Sequence, residues 1–276
     1  MIERVLSFGR WSDQVGILTL PDSTPAADRP AIVMWNVGVN HRVGPFRFYV
    51  DLARAVAAEG YVALRFDASG MGDSEVRRDA ISSTEREDLD VQDALDAVTR
   101  RTGQTRFVIV GFCSSIDAAH RVSVKDPRVV GVVHVEGYSF HTGGYRKRNP
   151  LKLLSVERWR RFAVDQKSRL ERRLAGQAPE EPTEAVFKRD YPAWPDFSAD
   201  LVTLTGRGVS LHFAYVGNDS PFNHVAQFWE MFATPALDRS LIDVTYYPKA
   251  DHTFFDLGER GTLQRRIVGW LRKRHP

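Results

Sequence analysis

The sequence predicts an α/β protein: a mostly parallel central sheet with helices on both faces. Three observations predict it. Short apolar runs rich in β-branched residues alternate along most of the chain with longer segments of helical apolar spacing. No internal repeat or low-complexity tract breaks that rhythm. The 276 residues, 43% of them apolar, suffice for one large domain, or one domain with an insertion.

The elements follow in order. GILTL (Gly16 to Leu20) reads as an early strand, and AIVMWNV (Ala31 to Val37) as a buried one. From Pro45 to Glu59 the apolar residues Phe46, Val50, Leu52, Ala53, Val56 and Ala57 recur at helical spacing, and Gly60 stops the helix. YVALRFD (Tyr61 to Asp67) is the next strand, and Glu85 to Arg101 the next helix. RFVIVGF enters a sharp turn at Cys113, and Ser114 to Ser123 continues as helix. VVGVVHVE (Val129 to Glu136), SLHFAYVG (Ser210 to Gly217) and LIDVTYYP (Leu241 to Pro248) are three further strands. A closing helix runs from Gly261 to about Lys273.

Residues 138–209 depart from this alternation, which predicts a core of 1–137 and 210–276 interrupted by a helical lid or cap. The first half of that insertion is basic: Arg146, Lys147, Arg148, Lys152, Arg158, Arg160, Arg161, Lys167, Arg169, Arg172 and Arg173 face only Glu157, Asp165 and Glu171. The second half is acidic and rich in proline. Although the formal net charge is only +3, the run from Arg146 to Arg173 suits an acidic or phosphate-bearing partner, with a solvated helix face as the plain alternative. It carries no recognised nucleic-acid motif. No window approaches a membrane span or a signal peptide, and a single cysteine forms no internal disulfide, so the expectation is a protein of the cytoplasm. No His, Asp or Glu group shows metal-ligand spacing, and no cofactor is expected.

The chemistry centres on FVIVGFCSSIDAAH, Phe107 to His120, which holds the one cysteine. A strand ending in Gly-x-nucleophile-x-small, with a helix at once behind it, lifts one side chain above the sheet edge. Gly111 and Ser115 are the small flanking residues and Cys113 is the one presented. Partial positive charge at the helix N-terminus favours thiolate there. The alternatives are a cysteine buried as a small hydrophobe, and Ser114 as the reacting group.

This turn resembles the nucleophile elbow of the α/β-hydrolase family, with cysteine for the usual serine and Ser115 for the second glycine. NVGVNHRVGP, RFDASGMGDS and GFCSS together resemble a bacterial subgroup with cysteine at the elbow. The resemblance spans about Val15 to Arg272, the insertion excepted, and implies the order nucleophile, acid, histidine. His252, in the polar loop of YYPKADHTFFD, takes the histidine's place. Asp219, in AYVGNDSPF, takes the acid's, with Glu136 at the end of VVHVE the runner-up. The implied oxyanion hole is the backbone N–H of Ser114 and that of Val39, with Val37 the other candidate. Asp67, Gly70, Gly72 and Ser74 read as loop braces, and Asp117, Asn36 and Glu136 as candidate substrate contacts. Asp117 also reads as a plain helix-start carboxylate.

A thiol nucleophile conserves acyl activation, because an acyl-cysteine is itself a thioester. The expectation is a thioesterase or acyltransferase working through an acyl-cysteine, fed by coenzyme A or a carrier protein that meets the basic insertion. A carboxylic-ester or lactone hydrolase with the same triad and a non-catalytic binding module are the rivals.

Overall fold

The computed structural model describes residues 1–153, 191–217 and 221–276, with backbone alone for 149–153. Eight strands form one sheet in the order β1-β2-β4-β3-β5-β6-β7-β8. They are β1 (Ile2–Phe8), β2 (Gln14–Leu20), β3 (Ala31–Trp35), β4 (Ala63–Phe66), β5 (Phe107–Phe112), β6 (Val129–Val135), β7 (Ser210–Val216) and β8 (Ile242–Tyr247). The β1–β2 and β2–β4 pairs are antiparallel; every other pair is parallel.

Strands β3 to β7 are buried on both faces, so they read as continuous apolar runs whose alternate residues serve different cores. Along β5, Phe107 and Ile109 enter one core, while Val108, Val110 and Phe112 enter the other. The first core is closed by α2 (Ser83–Thr102), α3 (Ser115–Lys125) and α5 (Trp194–Gly206), the second by α1 (Phe48–Ala58) and α7 (Leu257–Arg274). Two further helices, α4 (Gly143–Leu153) and the short α6 (Ala226–Met231), follow β6 and β7.

Three elements differ from the sequence expectation. The edge strand β1 was not anticipated, since only Leu6 and Phe8 on it are buried. Helix α7 begins at Leu257 rather than Gly261 because Asp256 caps it, accepting from Glu259 N at 2.9 Å, and Gly258 and Gly261 are carried inside. Helix α5 lies within the stretch assigned to the insertion, yet Phe197, Leu201 and Leu204, at positions i, i+4 and i+7, are all fully buried in the first core. It is the crossover helix leading into β7, and Pro195 and Asp196 fall on its exposed start. Of the basic run, the side chains of Arg146, Lys147 and Arg148 are described and exposed; Lys152 has backbone alone, and Arg158 to Arg173 lie outside the described residues. Among the described residues, no helix is long and apolar enough to cross a membrane.

The chain passes from β3 outward to β4, then crosses back to β5 and builds the other half of the sheet. The loops leaving β3 and β5 therefore diverge, and the crevice between them is where open α/β sheets receive ligands. Gly111 fixes that crevice, because a Cβ there would stand 2.9 Å from Ile116 Cα and 3.0 Å from Ala119 Cβ. Gly111→Ala is expected to destabilise the fold by about 1–3 kcal/mol through this overpacking, measured by denaturant unfolding.

Candidate active site

Cys113 follows directly on β5 with φ 52°, a left-handed backbone that ordinary side chains rarely adopt. Four hydrogen bonds fix the turn there. Cys113 N–H donates to Val135 O at 3.0 Å, and Ile116 N–H to Cys113 O at 3.2 Å. The Ser115 hydroxyl closes the turn, accepting from Phe112 N at 2.8 Å and donating to Phe112 O at 2.9 Å. The thiol is half-buried at the rim, above the start of α3.

His252 reaches it from the loop after β8, with Nε2 3.0 Å from Cys113 Sγ. Its Nδ1 lies 3.2 Å from Glu136 Oε2. Glu136 follows β6, also at a left-handed φ of 59°. Its backbone N–H donates to Ala214 O at 2.8 Å, and its Oε1 accepts from Val216 N at 2.7 Å. The carboxylate is thus buried, fixed by β7, and aimed at the ring. These contacts push the His252 imidazole up from 6.5 to about 10: the hydrogen bond to Cys113 contributes most, then that to Glu136, against a partial loss of solvation.

Asp251, next to His252, shapes the histidine loop. Its carboxylate accepts from Thr253 N at 2.7 Å, the Thr253 hydroxyl at 2.6 Å and Phe255 N at 3.0 Å. Phe254, at φ 54°, is buried beneath, its ring 6.1 Å from Phe112.

The loop after β3 lies against the elbow. Gly38 N–H donates to the Ser114 hydroxyl at 2.8 Å, a clamp that sequence reasoning missed, because it weighed Ser114 as a backbone donor or a reacting group and not as an acceptor. Val39 follows at the turn tip with its side chain 73% exposed. The Asn36 amide is bonded to backbone: its Oδ1 accepts from Ala68 N at 2.9 Å and its Nδ2 donates to Gly38 O at 3.2 Å. It braces the loops after β3 and β4. Asp67 extends the brace, accepting from Arg42 N at 2.6 Å and Asp73 N at 3.1 Å and pairing with the Arg42 guanidinium. Asp117, on the first turn of α3, is 6% exposed and accepts the Tyr138 hydroxyl at 2.8 Å, a buried acceptor behind the elbow.

The structure therefore brings together Cys113, His252 and Glu136, with Ser114 and the Gly38–Val39 turn beside them. Asp219 lies outside the described residues. Among the described residues, no group of three or more His, Cys, Asp or Glu is placed to hold a metal ion. Five of the six non-glycine residues with left-handed backbone described here, Phe46, Arg47, Cys113, Glu136 and Phe254, belong to the segments that build this site. Each such residue costs roughly 1–3 kcal/mol, and such residues cluster where geometry serves chemistry.

An imidazolium beside the sulfur favours thiolate, so Cys113 should alkylate with iodoacetamide at pH 6, where an ordinary thiol of pKa about 8.5 is almost inert. His252→Ala should restore the ordinary profile. Glu136→Gln removes a charge that stabilises the imidazolium, so the His252 inflection followed by NMR should fall from about 10. If it stays, Glu136 does not set the ring's charge.

Comparison with known proteins locates this architecture. No family model and no curated protein sequence matches the chain. Solved structures do. A proline iminopeptidase of Mycobacterium smegmatis superposes with TM-score 0.60 at 16% identity, over 99% of each chain. The esterase domain of a Rhodothermus marinus protein gives 0.59 at 14%, again over 99% of each. An α/β serine hydrolase homologue from Coxiella burnetii gives 0.56 at 14%, over 97% of this chain and 96% of its own. At these identities the likeness concerns architecture, and the architecture of this chain is the α/β-hydrolase fold.

Proposed function

We propose that the protein is an acyl-transfer enzyme, a thioesterase or acyltransferase, working through an acyl-cysteine. One observation carries the reading: a single imidazole lies 3.0 Å from the Cys113 sulfur and 3.2 Å from the Glu136 carboxylate. The structural neighbours, an esterase domain and a peptidase among them, support hydrolase-type chemistry on this fold.

The proposed steps use these groups in turn. The Cys113 thiolate attacks the acyl carbon, forming an S–C bond, and the carbonyl π electrons move to oxygen. The backbone N–H groups of Ser114 and Val39 are the donors proposed for that oxyanion. As the tetrahedral species collapses, the bond to the leaving atom breaks and His252 Nε2 gives that atom its proton. An acceptor (water, alcohol, amine or thiol) then passes a proton back to Nε2 as it attacks the thioester, and the S–C bond breaks with the electrons returning to sulfur. Glu136 holds the ring through Nδ1 and offsets its positive charge. Asp219 is the other carboxylate proposed for that task.

Sulfur favours a thioester donor. Transfer from coenzyme A or a carrier's pantetheine thiol to Cys113 exchanges one thioester for another and keeps the acyl group activated. The exposed Arg146, Lys147 and Arg148 at the start of α4 suit the negative charge of either donor. A carboxylic-ester or lactone hydrolase would use the same groups, and relative kcat/KM on an acyl-pantetheine and an aryl ester separates the two.

Intact-protein mass measured after incubation with acyl-pantetheines should rise by one acyl group in the wild type and not in Cys113→Ala. The same substitution should lower turnover by about a thousandfold or more while thermal unfolding stays cooperative. Wild-type turnover in Cys113→Ala, with no adduct trapped, would sink the mechanism. Asp219→Asn compared with Glu136→Gln assigns the acid: the larger loss in kcat marks the carboxylate that acts.

A further inference from the structure

Three of the left-handed residues, Phe46, Arg47 and Phe254, take no part in the Cys113–His252–Glu136 array, and their geometry has a separate result. Consecutive left-handed conformations at Phe46 (φ 47°, ψ 39°) and Arg47 (φ 64°, ψ 15°) turn the Phe46 ring outward at the end of the loop after β3. There it meets the ring of Phe255 edge-on, with centroids 5.2 Å apart at 77°. The left-handed turn at Phe254 buries that ring and leaves Phe255 69% exposed. Arg260 supports the pair. Its guanidinium stands 5.4 Å from the Phe46 centroid, held by the carbonyls of Phe254 at 3.0 Å and Phe255 at 3.1 Å.

Such exposure is unfavourable, and it is concentrated. Val39, Val43, Phe46, Phe255 and Leu257 are five of the twelve exposed large apolar side chains among the described residues; they lie on the segment between β3 and α1, on the histidine loop, and at the first residue of α7. Exposed apolar side chains gathered at one place mark a binding surface.

Proton transfer decides which part of a substrate meets them. His252 Nε2 protonates the departing atom and deprotonates the incoming one, so that atom stands on the imidazole side. Whatever it carries extends over the histidine loop. We propose that Phe46 and Phe255 form a subsite for an aryl or alkyl group borne by the leaving or accepting thiol, alcohol or amine, an assignment that rests on the acyl-cysteine reading. The acyl group itself lies elsewhere, toward the Ser114 side.

The test uses two thioesters with one acyl group, S-ethyl and S-(2-phenylethyl) butanethioate, whose leaving thiols differ little in acidity. The wild type should acylate Cys113 about five- to tenfold more efficiently from the phenylethyl donor, in kcat/KM. In Phe46→Ser and Phe255→Ser the ratio should fall to within about twofold of unity, and Phe255→Tyr should retain it. A wild-type ratio near one, or a ratio that survives both serine variants, overturns the subsite. Binding of 2-phenylethanol, followed through the His252 ring resonances, reads the subsite without turnover and should weaken in the same two variants; its absence in the wild type also overturns the proposal. If neither thioester acylates Cys113 while 2-phenylethanol still binds and the serine variants weaken it, the acyl-cysteine reading fails and the aromatic subsite stands.

Discussion

The site depends on one imidazole held at both nitrogens. Its position comes from a loop, while the groups it touches come from strand ends whose separation the sheet sets. The β5–β6 register places Phe112 opposite Val135, so Cys113 and Glu136 are each the residue after a paired position. Glu136 is then tied to the next strand through Ala214 and Val216. Buried charge is costly unless it is paired and hydrogen-bonded, and this carboxylate has the ring on one oxygen and a backbone N–H on the other. The hydrogen bonds to Cys113 and then to Glu136 raise the ring's pKa.

Strain and support are spatially matched. Cys113 holds its left-handed backbone because Val135 O, Ile116 N and the Ser115 hydroxyl over-determine the turn. Behind it, the loops after β3 and β4 form one brace, in which Asn36, Arg42, Asp67 and Ser74 spend their polar atoms on backbone groups and each other. Ser74 also accepts from Val15 N at 2.9 Å, tying that brace to the antiparallel half of the sheet. Removing any of these residues would loosen the turn beside the reacting atoms without touching them.

Much of this was legible in the residue order. Seven of the eight strands announce themselves as apolar runs, and the Gly-Phe-Cys-Ser-Ser turn and the histidine after the last strand follow from local spacing. What was not legible depends on neighbours in space. That Glu136 stands beside His252 Nδ1 was not legible from sequence, which put Asp219 first, because the contact rests on where β6 ends relative to the histidine loop. Asn36 resembled a substrate contact since a polar residue after β3 does face the crevice, yet its amide is consumed by two backbone groups. Helix α5 was hidden by its surroundings: prolines and acids crowd the sequence just before it, while three apolar residues spaced along one stripe decide its placement. Strand β1 escaped notice because an edge strand with one buried face can leave most of its side chains in water.

The placement of Glu136 has a consequence for how the molecule moves. With the Cys113 sulfur and the Glu136 carboxylate both mounted at the ends of adjacent strands, these two groups share one frame, and the imidazole is carried on a segment outside it. Motion that alters reactivity is thereby confined to about five residues around position 252, held by Asp251 at one end and Asp256 at the other. Catalytic tempo would then be tuned by the stiffness of that one short tether, independently of the stability of the domain.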